Sequence, residues 1–221
     1  MCGRYNLITD AEALLEFFEI QKSIRLDDWP RYNIAPSRRV PVVARTVEGR
    51  SLEMAKWGLV PHWAKESQTR FSTINARAET VATSAAYRTA FRQSRCIVPA
   101  TGYFEWKKTP QGKQPFNITS SNGTLLAMAG IRDIWHVGQD DQLVTFSIIT
   151  TTANQRTRDI HERMPVMLRR ADHDVWMDQT TPFEQLHELM RPCPDDWLRA
   201  YRVSTVVNSP EHDGPDCVLQ L

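Results

Sequence analysis

The chain has 221 residues, a formal net charge of +1 and 24% charged side chains, so it can bury a core of ordinary size and does not bind polyanions through bulk charge. Its cations are 21 Arg against 6 Lys, a bias that suits recognition of phosphate or carboxylate oxygens and that a GC-rich genome produces equally well. The four cysteines, Cys2, Cys96, Cys193 and Cys217, show neither a CxxC pair nor zinc-site spacing and suggest no disulfide framework. No signal peptide and no apolar run of membrane length is visible, so a cytoplasmic protein is expected, nucleoid-associated if it touches DNA.

The chain opens Met1-Cys2-Gly3-Arg4. Removal of Met1 would leave Cys2 with an amine and a thiol on adjacent carbons, of unperturbed pKa about 8 and about 8.5, so both reactive forms exist near neutrality. Such an aminothiol condenses with an aldehyde, first as an imine and then as a thiazolidine, or attacks an amide carbonyl to give a thioester. Taken alone, a second residue is by default part of a frayed terminus. Thr9 and Glu12 read as a capping box with Thr9 as N-cap, and Leu14, Leu15, Phe17 and Phe18 give the following helix an apolar stripe. Two prolines in 29–36 predict an ordered loop, and strands are expected over 40–44 and 52–57. Trp63 sits in the next loop, where an indole either caps a core or stacks on unpaired bases.

Asn75, Arg77 and Glu79 then place an amide, a guanidinium and a carboxylate within five residues. Thr83 or Ser84 is expected to cap a helix running to about Gln93 that displays Arg88, Arg92 and Arg95 near its later turns. The runs 96–99, 103–107, 115–118, 125–131 and 144–150 predict strands. In the second of these, alternation puts Tyr103, Glu105 and Lys107 on one face and Phe104 and Trp106 on the other. A carboxylate among aromatics suits proton transfer, although a cross-strand ion pair uses the same residue. After a short helix expected over 152–158 comes Asp159-Ile160-His161-Glu162-Arg163-Met164-Pro165, where His161 is either a proton shuttle or a surface histidine. A helix over 182–190, a strand over 198–203 and an irregular tail over 206–221 complete an expected single α+β domain, with a curved, mostly antiparallel, barrel-like sheet and flanking helices.

The stretches Met-Cys-Gly-Arg, Arg31-Tyr32-Asn33-Ile34-Ala35-Pro36, Trp57-Gly58-Leu59-Val60-Pro61, Ile74 to Thr80, Gly102-Tyr103-Phe104-Glu105-Trp106-Lys107 and Ile160 to Pro165 occur in order over nearly the whole chain. Together they closely resemble the SOS response-associated peptidase (SRAP) family. The resemblance implies a sensor of abasic sites in single-stranded DNA, including single-strand/double-strand junctions. Such a sensor forms a covalent, slowly reversible thiazolidine through the mature Cys2 after self-removal of Met1, and so shields the lesion during the DNA damage response. It implies a monomer without cofactor, metal or membrane partner. It assigns orientation of the nucleophile or sugar to Asn75 and proton transfer to Glu105 and His161. Phosphate contacts fall to Arg4, Arg77 and Arg163, lining of the strand path to Asn33 and Pro36, base stacking to Trp63, and backbone contacts to Thr150 and Ser204. The chain departs at Ala64 from a member of the family that has a second tryptophan there, at Ala85 from the same member's basic residue, and at Glu162 from the Asp that family members often carry. The alternative is an N-terminal-nucleophile amidohydrolase such as the class II glutamine amidotransferases, which also begin Met-Cys-Gly; the later motifs separate the two.

Overall fold

Short runs of alternating and fully apolar residues organise twelve strands among the described residues, with four short α-helices at their edges. The structure is a computed structural model and describes residues 2–22, 29–67 and 72–221; Met1, whose removal is expected from the sequence, lies outside them. In chain order the elements are β1 (Tyr5–Leu7), α1 (Ala11–Phe17), β2 (Arg31–Ile34), β3 (Arg39–Thr46), β4 (Gly49–Trp57), β5 (Asn75–Arg77), α2 (Arg88–Gln93), β6 (Arg95–Ala100) and β7 (Gly102–Thr109). Then follow β8 (Gly112–Ser120), β9 (Leu126–Trp135), β10 (Leu143–Thr152), β11 (Arg163–Pro165), α3 (His173–Met177), α4 (Phe183–Leu189) and β12 (Leu198–Arg202).

Two sheets result. The first runs β12-β8-β7-β1-β2 and is antiparallel throughout. In the second, β10, β4, β3, β6 and β9 pair in turn and β9 pairs back to β10, which closes a five-stranded barrel. Beyond the barrel, the end of β10 carries β5 in parallel and β11 antiparallel. Closure leaves β6 buried along its whole length and most of β9 as well, so both read as continuous apolar runs. Gly130 is small for a packing reason: a Cβ there would lie 3.0 Å from both Cys96 Sγ and Val98 Cγ2. The expected alternation of β7 holds, with Tyr103 in the main core and Phe104 in a smaller one formed with Val203, Val207 and Cys217.

The expected fold class stands, while several local expectations are corrected. Asp10, not Thr9, caps α1, because its carboxylate accepts the Ala13 N–H at 2.7 Å. The stretch expected as a loop contains β2, since Pro30 and Pro36 flank a four-residue strand at the edge of the sheet and interrupt no ladder. The helix expected from residue 83 or 84 begins at Arg88; the Ser/Thr-rich segment before it forms turns, with Thr83 Oγ1 donating to the Thr80 carbonyl at 3.2 Å. The helix expected over 152–158 is absent, because Thr152 still belongs to β10 and the Asn154 side chain captures the Thr157 N–H and hydroxyl in a turn. The tail expected to be irregular holds two 3-10 turns, Thr205–Asn208 and Pro215–Cys217, with Val207 and Cys217 fully buried. No described helix is long and apolar enough to cross a membrane.

Candidate active site

The first sheet delivers Cys2 and Glu105. Tyr5 pairs with Tyr103 and Asn6 with Gly102, and the Phe104 N–H donates to the Arg4 carbonyl at 2.9 Å. Continuing that register sets Gly3 opposite Glu105 and brings Cys2 to its side. Cys2 is fully buried, and its thiol lies 3.9 Å from the Arg4 carbonyl. Burial, reinforced by the negative charge of Glu105, pushes the thiol pKa far above that of free cysteine. A thiol in this setting stays protonated until a base takes its proton. Glu105 is 3% exposed, and burial raises its own carboxyl pKa against the opposing charge of His161. It therefore holds a proton more tightly than an exposed carboxyl does, which suits a group that accepts and returns one.

The second sheet delivers Asn75 and His161 from the two segments that flank the end of β10. Asn75 pairs with Ile148, its carbonyl accepts the Tyr87 hydroxyl at 3.1 Å, and its Nδ2 donates to the Cys2 carbonyl at 2.7 Å. Asn75 Oδ1 is buried and has no hydrogen-bond partner among the described residues. A buried acceptor left unused at a reactive residue points to a bond made with substrate. His161 precedes β11, and its Nδ1 accepts the Arg163 N–H at 3.0 Å, closer than the Arg163 carbonyl at 3.3 Å. When Nδ1 accepts that bond the neutral ring carries its proton on Nε2, and when the ring is charged Nδ1 donates instead to the Arg163 carbonyl.

The residues expected to meet DNA fall into three groups. Arg77, Thr150 and Arg163 meet where β5, β10 and β11 run together, with Arg77 opposite Thr150 and exposed. Arg163 donates bidentately to Glu79 at 2.6 and 3.0 Å and to the Thr150 carbonyl at 2.6 Å, so its guanidinium is already well bonded. In the second group, Arg4 donates to Asn33 Oδ1 at 2.8 Å and to the Val207 carbonyl at 2.9 Å. The Asn33 amide is buried and donates to the carbonyls of Val207, Ser209 and His212 at 3.2, 3.0 and 2.6 Å, and Ser204 caps the 3-10 turn that begins this tail. Asn33 thus holds the C-terminal tail together with Arg4, which is close in sequence to Cys2, and half-buried Pro36 follows on the same β2 connection. Asp213 completes the clasp from the tail side by accepting the N–H groups of Tyr32 and Asn33 at 2.6 and 2.7 Å. Farther along, His212 Nε2 bonds both Asp216 carboxylate oxygens, which closes the end of the tail on itself.

Trp63 stands apart and is 55% exposed. Its loop is fixed on both sides, by the His62 N–H donating to Asp133 at 2.9 Å and by the Trp135 indole donating to the Ala64 carbonyl at 2.8 Å. The indole is therefore displayed on a rigid support. The sequence reading gave Glu79 and Asp213 no partners; their bonds reach Arg163 and β2 across 84 and about 180 residues, a pairing that no local pattern announces.

A buried thiol, a buried carboxyl of raised pKa, an imidazole and an unpaired amide oxygen can together perform nucleophilic addition with proton transfer. Comparison with known proteins matches the chain over residues 1–210 to the model of the SOS response associated peptidase (SRAP) family. The chain is 35% identical to the abasic site processing protein YoqW of Bacillus subtilis (strain 168), over 99% of each chain. It is 31% identical to the abasic site processing protein YedK of Escherichia coli (strain K12), over 99% of each chain. The crystal structure of a protein from Bacteroides thetaiotaomicron superposes with a TM-score of 0.87 at 27% identity, covering 100% of both chains. With the family model covering nearly its whole length, the chain belongs to the SOS response associated peptidase (SRAP) family.

Proposed function

We propose that the protein captures abasic sites in single-stranded DNA as a covalent thiazolidine on Cys2, after hydrolysis of the Met1–Cys2 peptide bond has freed the Cys2 amine. The observation that supports this reading is that the buried Cys2 thiol feels the charge of the buried Glu105 carboxyl, while the Cys2 carbonyl accepts the Asn75 Nδ2 donor and Asn75 Oδ1 stays unpaired. The names of its relatives, which process abasic sites, support the substrate class.

The sugar of an abasic site is a hemiacetal in equilibrium with an aldehyde. His161, as the imidazolium, gives its Nε2 proton to the ring oxygen as the bond from that oxygen to the anomeric carbon breaks, while Glu105 takes the proton of the anomeric hydroxyl and returns it to the hydroxyl that later leaves as water. The Cys2 amine adds to the aldehyde carbon, water leaves, and an imine remains. Glu105 accepts the thiol proton, the sulfur adds to the imine carbon, and the nitrogen takes up the displaced electron pair and a proton. One water is released for each thiazolidine. Asn75 holds the Cys2 carbonyl through Nδ2, while its Oδ1 is the acceptor available to the freed amine or a sugar hydroxyl. Trp63 stacks on a base beside the lesion and Arg77 meets a flanking phosphate. Arg163, Thr150 and Ser204 support that path. The protein acts as a monomer on DNA.

The test is incubation with a single-stranded oligonucleotide carrying one abasic site, followed by heating and a denaturing gel. A shifted band is expected that disappears with Cys2→Ala, with an N-terminal extension that blocks the amine, and with a reduced, aldehyde-free lesion. A band that survives Cys2→Ala would exclude the thiazolidine. Hydrolysis of glutamine without any band would favour an amidohydrolase instead.

A further inference from the structure

We infer that Asn154 is the residue that positions His161, an assignment that rests on the proton-transfer role given to His161 above. Asn154 is 7% exposed and bonds on both sides of its amide. Its Oδ1 accepts the Thr157 N–H at 3.2 Å and the Thr157 hydroxyl at 3.0 Å. Its Nδ2 donates to the Cys193 carbonyl at 3.1 Å and to the Pro194 carbonyl at 3.4 Å. The Thr157 carbonyl in turn accepts the N–H groups of Ile160 and His161, at 2.9 and 3.0 Å. One amide therefore ties the 193–194 segment to the turn whose last hydrogen bond sets the backbone of His161.

The rest of the loop is held in the same sense. The Gln155 N–H donates to Asp195 Oδ1 at 2.8 Å, and the Ala153 N–H donates to the Glu162 carbonyl at 2.9 Å, which pins the loop where it leaves β10 and where it returns. Between those pins the chain forms turns and no helix, so its conformation depends on side-chain bonds, and Asn154 supplies the central ones. A small displacement here rotates the imidazole away from the Arg163 N–H that selects its tautomer, and proton transfer is sensitive to such shifts. Asn154 touches neither substrate nor reacting atoms in this scheme, so its effect passes entirely through His161.

The experiment combines a reaction cycle with a spectroscopic readout on the full chain. In Asn154→Ala, crosslink formation and reversal on an abasic oligonucleotide should slow about tenfold, less than the roughly hundredfold loss typical of removing a general acid, which is the loss expected for His161→Ala. In the double variant the rates should equal those of His161→Ala alone, whereas multiplied losses would overturn the assignment. Thr157→Val, which keeps shape and removes only the hydroxyl bond, should shift the rates in the same direction by a smaller factor and serves if Asn154→Ala folds poorly. Independently of any reaction, long-range proton–nitrogen correlation spectra should show His161 protonated on Nε2 in the wild type and a mixture of tautomers in Asn154→Ala. An unchanged tautomer together with unchanged rates in a variant of lower Tm would make Asn154 purely structural. If the wild-type protein forms no crosslink, the proposed function fails, while the spectra still decide whether Asn154 positions His161.

Discussion

Replacing Glu105 by Gln should make the protein more stable at neutral pH while removing most of the proposed crosslinking activity. The carboxyl is 3% exposed, and burial holds its pKa above the ordinary value of 4.5. A carboxyl whose pKa is raised by folding binds its proton more tightly in the folded state than in the unfolded chain. Between 4.5 and the raised value the folded state therefore holds more protons, and stability falls as pH rises across that window. Above the window the full penalty of a buried carboxylate is present. Each unit of displacement corresponds to about 1.4 kcal/mol, and about 1 kcal/mol moves the Tm of a domain of this size by roughly 2–4 °C. Glutamine keeps the shape and cannot ionise, so thermal unfolding near neutrality should show a gain of about 3–5 °C per unit of displacement. Near about pH 3, where both states of the wild type are protonated, the gain should vanish. In the crosslinking assay the same variant should lose roughly a hundredfold in rate, the usual contribution of a positioned acid or base. A variant destabilised at neutral pH, or one whose gain persists unchanged in acid, would refute the buried-carboxyl argument. Crosslinking at the wild-type rate would refute its catalytic role.

His173 gives the opposite pH signature. It is fully buried against Phe18, neither ring nitrogen has a hydrogen-bond partner among the described residues, and burial, helped by Arg50, pulls its pKa down from 6.5 to about 4. The unfolded chain then binds the extra proton first, so stability is full above 6.5 and is lost as pH falls toward 4, by at most about 3 kcal/mol. Thermal denaturation of His173→Phe across that range should be flatter than that of the wild type, and equal slopes would overturn the assignment. Trp63→Ala, at an exposed position on a braced loop, should weaken binding of an oligonucleotide with a reduced abasic site by about 1–3 kcal/mol in fluorescence anisotropy. Its stability should change by less than about 0.5 kcal/mol, so a lowered Tm with unchanged affinity would reverse the reading of the loop. Asn33→Ala leaves three tail carbonyls and Arg4 short of a partner and should cost about 2 kcal/mol or more. Limited proteolysis should then cut within residues 204–217, and a tail as resistant as in the wild type would count against the clasp.

The strands of the barrel were readable from the sequence because their apolar runs are long and their turns carry Gly, Pro or Asn. The face assignment of β7 was readable for the same reason, since alternation alone separates Tyr103 and Glu105 from Phe104 and Trp106. The three-residue strands β1, β5 and β11 were not, although they carry or flank Cys2, Asn75 and His161. Three residues contain too little pattern to assert a strand, and each exists only because a longer partner, β7 or β10, presents unpaired backbone groups to it. Expectation also failed wherever a polar side chain bonds the backbone: Asp10 moved a cap, and Asn154 replaced a helical turn. Asn33 was legible as a polar residue in a characteristic stretch, but its bonds to three carbonyls of the tail depend on chain nearly 180 residues away.

The position of the candidate site at the join of two sheets explains why so many of its polar residues are bonded to protein. Cys2 and Glu105 come with β1 and β7, whereas Asn75 and His161 come with the end of β10, so their mutual distances depend on how the sheets are held together. The Asn75 bond to the Cys2 carbonyl crosses that join directly. Arg163 and Glu79 clamp β11 to the segment after β5 on one side of it, and Arg4 and Asn33 clamp the tail to β1 and β2 on the other. A guanidinium held by two internal acceptors cannot swing out to a phosphate without leaving them unpaired, so under the proposed function Arg4 and Arg163 serve chiefly to keep the site assembled. Under the same proposal Arg77 and Trp63, both exposed, are the side chains left to meet the strand. On that proposal recognition falls to few side chains and the reacting groups stay fixed before DNA arrives, as the proposed reaction between one aminothiol and a scarce aldehyde requires, because its rate depends on a geometry already in place.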